Sequence, residues 1–548
     1  MPLDKKLIQS AHQLNAAVHG NAREYFHSRP VAVSTLSLIL PEKRKYPFQI
    51  VYDIKDLFTI GAVTQSSILM TGGTDTGKTT LAKLVMNALF GKEDEAWHRI
   101  DVDTDFGKDA YADVDFSVVT EGKKLSEGLY QAQRFLSLPG LIWDEINRTH
   151  AALANKLLHV FDKDISLPDG KRVKIGHPMD GGETYQFQVA AINEGTEYKG
   201  TFDVDKALRR RTIIEIPIDV FSATEHDRLL IQKLSRKEVP LKNDQSRLET
   251  ILEINRALEQ QAIPIHPAAE MFVAYLEAFD FCRHSLSHEK GSVASQGGSI
   301  RYICSKPVYI DGTMVPGSDV GCPFLKTFEH ELCPNVRGIT PGISKNLWAV
   351  ARGFALIRAT KFVEMMAGYL EGKATMPLQY RLLEPGKDED ATVMDANLER
   401  LLMQQVENAL QQYTGLKDAG ATLARAAADK YLAELHVEIE DVEAAIGFVG
   451  YSKLGIATPW VLKHYQGNRY GAVTHFVRQA KSKFKEGLAM PALEKLPDIL
   501  SGKGTSELLE TIRTYCEAQN PWLWKVLTPY LGGQPKPEGK QDVQQFYA

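Results

Sequence analysis

Four short apolar runs, separated by stretches of helical periodicity, mark the region between about Ser66 and Pro217. They are Ser67-Ile68-Leu69-Met70, Gly140-Leu141-Ile142-Trp143, Val189-Ala190-Ala191-Ile192 and Ile213-Ile214-Glu215-Ile216. Alternation of this kind predicts an α/β domain with a largely parallel sheet. Before it, Leu3 to about Tyr25 reads as a polar helix, followed by a Pro- and Lys-marked connection through Pro41 to Pro47. After it, Leu, Ala and charged residues fall at helical spacing. Two stretches break that pattern: a Gly-, Pro- and Cys-containing one from about Cys282 to Thr340, and a Pro-, Gly- and acid-rich one from Gly372 to Asp395. The first reads as an irregular or small β insertion, the second as a surface loop. Gly532 to Gly539 reads as a frayed tail.

Within the α/β region, Gly72-Gly73-Thr74-Asp75-Thr76-Gly77-Lys78-Thr79 fits G-x-x-x-x-G-K-[ST] without a mismatch. An apolar run precedes it, and Thr80 to Phe90 follows as a helix with Leu81, Leu84, Val85 and Leu89 on one face. Such a loop curls backbone N–H groups around phosphates at a helix N-terminus. Lys78 would reach the β- and γ-phosphates and the Thr79 hydroxyl would ligate Mg²⁺. Leu141-Ile142-Trp143-Asp144-Glu145 then ends a buried run in two carboxylates. At the carboxyl end of a parallel strand, Asp144 would serve the metal and Glu145 would polarise the attacking water.

Asn193 ends the next run, where its side chain could bond the γ-phosphate or orient the water. Arg209, Arg210 and Arg211 precede the last run. They are either a solvated basic patch or the source of an arginine finger reaching a neighbouring subunit's nucleotide.

These residues carry a family resemblance. Asp144-Glu145-Ile146-Asn147-Arg148, Asn193-Glu194-Gly195 and Ala207-Leu208-Arg209-Arg210-Arg211 resemble the MoxR-like, dynein-related branch of AAA+ ATPases, with the McrB-type NTPases as relatives. The resemblance implies ATP and Mg²⁺ as cofactors, sensor 1 at Asn193 and the finger at Arg211. It covers residues 61–220 strongly and 221–455 loosely. Thr212 stands in place of the family's Phe and Glu194 in place of its Pro. Gly342-Ile343-Ser344-Lys345 lacks the Pro of the sensor 2 motif, leaving Lys345 or Arg337 for that position.

The implied fold class is α/β, an AAA+ P-loop parallel-sheet core followed by a helical lid with an irregular insertion and a helical C-terminal region. The expected boundaries are 1–60 for an N-terminal helical segment and linker, 61–220 for the core, 221–455 for a lid interrupted at about 282–340 and 361–435, and 456–548 for the C-terminal region.

Composition bounds the rest. A chain of 548 residues allows about three or four domains. Hydrophobic content of 44% and charged content of 24% match ordinary globular protein. The net charge of −5 argues against a whole-protein nucleic-acid binder. No run is long enough to span a bilayer and no secretory-type amino terminus is visible. Cys 5 in so long a chain is too few for a disulfide scaffold, which points to the cytoplasm.

Cys282, Cys304, Cys322 and Cys333 share one region with several histidines, but no pair has zinc-signature spacing; buried thiols and a structural zinc are the two readings. Ser166 to Arg172 predicts a hairpin whose Lys171 and Arg172 either lie on the surface or touch a client in a ring's pore. Arg478 to Lys485 is a basic helical face, read as solvated or as meeting phosphate backbones.

The leading expectation is an oligomeric, hexameric by resemblance, ATP-driven remodelling motor acting on a protein client. Resemblance alone suggests a von Willebrand A-domain protein as that client. The alternative is a nucleic-acid-directed NTPase motor of the McrB or translocase kind.

Overall fold

The computed structural model describes residues 5–22, 30–39, 45–74, 76–102, 112–114, 130–148, 159–167, 170–194, 206–221, 223–224, 227–228, 245–278, 308–310, 313–315, 339, 341–370, 432, 435–451 and 453–488. The chain forms two compact units, Met1–Ile263 with Ala349–Leu435, and Pro264–Trp348 with His436–Ala548.

The first unit opens with helix α1 (Lys5–Asn21). Strands β1 (Ala32–Ile39) and β2 (Lys45–Tyr52) then pair antiparallel, with Ser37 opposite Pro47. Of the connection expected at Pro41 to Pro47, residues 45–47 open β2, and 41–44 lie outside the described residues. Pro47 obscured the second strand, since proline within a run demotes it. Helix α2 (Ile54–Val63) starts at Asp53, whose carboxylate accepts from Lys55 N–H at 2.7 Å and which takes part in a capping box with Asp56.

Strand β3 (Ile68–Gly72) leads through the glycine-rich loop into helix α3 (Lys78–Phe90). Next come β4 (Trp97–Asp101), the pair β5 (Ala112–Val114) and β6 (Tyr130–Ala132), and β7 (Gly140–Asp144). A hairpin of β8 (Asp164–Ser166) and β9 (Arg172–Lys174) and a short pair of β10 (His177–Pro178) and β11 (Thr184–Tyr185) precede β12 (Phe187–Asn193). Helix α4 (Lys206–Arg211), strand β13 (Ile214–Pro217) and helix α5 (Leu248–Glu259) follow.

Five of these strands form one parallel sheet in the order β13-β3-β12-β7-β4. β3, β7, β12 and β13 are buried at every residue, as a parallel sheet covered on both faces requires. The four runs expected from the sequence are these four strands. β4 is the fifth. Its sequence, Trp-His-Arg-Ile-Asp, buries only Trp97 and Ile100 at the sheet edge, so it offers no continuous apolar run. Gly140 lets β7 pass close to its neighbours: a Cβ there would lie 2.8 Å from both Phe90 and Trp97.

The second unit contains helix α6 (Pro267–Ala278), a small antiparallel pair of β14 (Val308–Ile310) and β15 (Thr313–Val315), and the first turns of α7 (Pro341–Leu370), whose residues from Ala349 onward belong to the first unit. It also holds α8 (Ile439–Val449), α9 (Thr458–Tyr465) and α10 (Arg469–Leu488). β14 and β15 lie inside the expected β insertion. The insertion expected from Lys361 begins within α7, which stays helical to Leu370.

Candidate functional site

The strand order brings distant segments together. β12 lies between β3 and β7, so the ends of all three meet: Asn193 pairs with Gly72 on one side, and Ala190 pairs with Trp143, one residue before Asp144, on the other. Ligands bind beyond the carboxyl ends of strands in open sheets of this type.

The loop between β3 and α3 turns on two glycines. Gly72 has φ +150°, and a Cβ there would come within 2.9 Å of an Asp219 oxygen. Gly77 precedes the helix in the left-handed conformation, φ +80°. The Gly73 N–H donates to Asp219 Oδ2 at 2.9 Å, and the Thr76 hydroxyl donates to the Gly73 carbonyl at 3.0 Å.

Lys78 is buried, 6% exposed, and its ammonium folds back over the loop. It donates to the Gly72 carbonyl at 3.0 Å, to the Gly73 carbonyl, and to Thr76 Oγ1 at 3.2 Å. Thr74 and Thr80 are exposed, Thr79 is half-buried, and Asp75 lies outside the described residues.

The Thr79 hydroxyl donates to Asp144 Oδ2 at 2.9 Å. These are hard oxygen donors of the kind that Mg²⁺ prefers, brought from the first turn of α3 and the last residue of β7. Arg99 of β4 forms an ion pair with the same Asp144 oxygen at 3.0 Å and also pairs with Asp101.

Glu145 has φ +54°, a conformation uncommon for a residue with a side chain. Its Oε1 accepts from Asn193 Nδ2 at 3.0 Å and forms an ion pair with the Arg148 guanidinium at 2.9 Å. Asn193 is itself fixed, because the buried Asn147 donates from Nδ2 to its carbonyl at 2.8 Å. The site residues expected from the two carboxylates, the loop and Asn193 thus meet at one edge of the sheet.

The three arginines separate. Arg209 spans Glu194, next to Asn193, and the buried Glu215 of β13. Arg210 is exposed. Arg211 donates from Nε to Asp162 Oδ2 at 2.7 Å, both side chains partly exposed.

Lys345 is exposed in the second unit, and Arg337 lies outside the described residues. Cys282, Cys304, Cys322, Cys333 and Cys516 also lie outside them. Among the described residues, His19, Asp53 and Asp56 have donor atoms close enough together for a metal ion, but the Lys361 ammonium already contacts Asp56.

The hairpin expected from Ser166 to Arg172 is β8–β9, with Lys171 and Arg172 exposed. In the basic run of α10, Arg478 and Lys481 both pair with Glu443 of α8. Arg99, Asp162 and Asp219 escaped the sequence reading. Each is a single charged residue outside any motif, and its partner is set by tertiary pairing.

The fold and site define an α/β protein with a phosphate-loop-type strand–loop–helix at the carboxyl edge of a parallel sheet. No protein-family model matches the sequence, and no curated protein matches it. Among solved structures, the chain is similar to a candidate ATPase from Cytophaga hutchinsonii, at 15% identity over 65% of this chain and 83% of that one, with a TM-score of 0.40. It is also similar to NtrX from Brucella abortus. The ADP complex is 19% identical over 29% of this chain and 34% of that one, with a TM-score of 0.20. For the ATP complex the values are 17%, 40%, 43% and 0.22. The chain therefore spans less than half of the NtrX chain in each of these two complexes. No helix among the described residues is long and apolar enough to cross a membrane.

Proposed function

We propose that this chain is a Mg²⁺-dependent ATPase of the AAA+ type, working as an oligomeric motor that remodels a protein client. The observation that carries the reading is the Thr79–Asp144 hydrogen bond at 2.9 Å, with Glu145 in the next position held by Asn193. A phosphate-loop hydroxyl and a strand-end carboxylate meet there, with a second carboxylate beside them for proton transfer.

In this reading Lys78 exchanges its loop carbonyls for the β- and γ-phosphates, and the loop amides hold the triphosphate. Thr79 and Asp144 hold the magnesium ion, which supplies charge neutralisation on the phosphate oxygens when bound. Asn193 aims Glu145, and Glu145 accepts the proton of the attacking water. Arg211 leaves Asp162 to meet the nucleotide of an adjoining subunit, where a finger is worth about 10³–10⁵ in rate. Pairing of Arg478 and Lys481 with Glu443 supports a protein client over nucleic acid.

The test is ATP turnover and nucleotide binding by the purified chain. Glu145→Gln should keep ATP bound while turnover falls by about 10² or more; Lys78→Ala should lose binding. Wild-type turnover in Glu145→Gln would refute the assignment. Isolation of the Glu145→Gln form with ATP from cells would recover the client.

A further inference from the structure

We propose that Arg99 is a positioning residue for Asp144 that competes with the divalent cation, and so sets how much Mg²⁺ the site needs. The inference rests on the nucleotide-binding reading above and concerns a residue that no motif includes. Arg99 projects from the edge strand β4, and its Nη2 forms an ion pair with Asp144 Oδ2 at 3.0 Å. That oxygen also accepts from the Thr79 hydroxyl at 2.9 Å. The shared oxygen belongs to the carboxylate assigned to the cation.

Two further observations make the contact a built one. Asp101, aligned with Asp144 in the β4–β7 register, shares the same Arg99 Nη2 with it, so the two carboxylates flank one nitrogen of the guanidinium group. The Arg99 Nε is buried and has no acceptor among the described residues. An arginine is always charged and cannot leave by losing its proton. The guanidinium therefore balances the Asp144 charge while the pocket holds no cation, and it must yield the oxygen when one enters. An ion pair of this type opposes the cation directly, because the positive charge lies on the oxygen that the cation would take. Asp101 works the other way, since it draws the guanidinium off Asp144.

The experiment measures binding of a fluorescent, non-hydrolysable ATP analogue to the full chain while MgCl₂ is titrated, and reads the Mg²⁺ concentration at half-maximal binding. Arg99→Gln should lower that midpoint about tenfold. Asp101→Asn should raise it. Arg99→Lys, which keeps a charge without the fork, should fall between wild type and Arg99→Gln, and it serves if the glutamine variant does not fold. Melting curves without Mg²⁺ establish folding in each case. A midpoint unchanged or raised in Arg99→Gln, or in Arg99→Lys should that be the folded form, would overturn the inference while leaving the nucleotide reading intact. Failure of the wild-type chain to bind the analogue at any Mg²⁺ concentration would overturn both.

Discussion

Glu145 combines a positive φ with a side chain drawn onto Asn193 and Arg148. Residues kept in sparsely populated backbone regions persist only where neighbours over-determine them, and here the neighbours are named. Asn193→Ala removes one of the two groups that aim the carboxylate. The proposed role predicts turnover lower by about 10²-fold with nucleotide affinity little changed. Equal losses in affinity and turnover would place Asn193 on the phosphates instead. At this scale the sequence was legible wherever chemistry is packed into a short motif. Lys78, Thr79, Asp144 and Glu145 lie within their motifs, and the Asn193 position follows from the end of an apolar run. Arg99 and Asp219 were not legible, because an isolated charged residue says nothing about which strand end it will face.

Helix α2 shows how elements are joined. Asp56 in its first turn is fully buried and accepts from Asn15 at 3.0 Å and from His19 of α1 at 2.9 Å, while Lys361 of α7 pairs with its other oxygen. Burial alone would push the Asp56 carboxyl up, but Lys361 and His19 outweigh it and hold it well below the ordinary range. Lys361→Met leaves a buried carboxylate without its ammonium partner, which should cost about 3–5 kcal/mol in denaturant unfolding.

His19 has the opposite sign. Burial would lower its pKa, yet the Asp56 hydrogen bond and the charges of Asp53 and Asp56 raise it. Its contribution is therefore complete below about pH 6.5 and fades as pH rises through the elevated folded value. The difference in stability between wild type and His19→Gln should shrink across that window; a difference that grows with pH would refute the assignment. None of this was visible in the sequence, because the partners lie on three separate helices. The edge strand β4 was hidden for a related reason: its charged residues, with Arg99 paired to Asp144, break the apolar run.

For the whole molecule, the proposed assembly turns on Arg211, which Asp162 holds at 2.7 Å in the single chain. Asp162→Asn removes the charge of that contact. The protein concentration giving half-maximal specific ATPase activity should then fall by about threefold, the scale of a partly exposed ion pair. Sedimentation at the same concentrations checks that assembly and activity move together. A midpoint that stays put would remove Arg211 from the proposed interface. The four buried strands were legible as a domain because their apolar runs are continuous, whereas the division of the chain into units was not. α7 contributes its first residues to one unit and its later ones to the other, and nothing in its helical pattern marks the change at Ala349.

The Lys361–Asp56 pair also bears on biosynthesis. The two residues lie 305 apart in sequence, so a ribosome will have released the whole phosphate-loop region long before the ammonium group is made. Until then Asp56 has only the amino-terminal partners Asn15 and His19, so the helices that cover it gain their last charged contact late in translation.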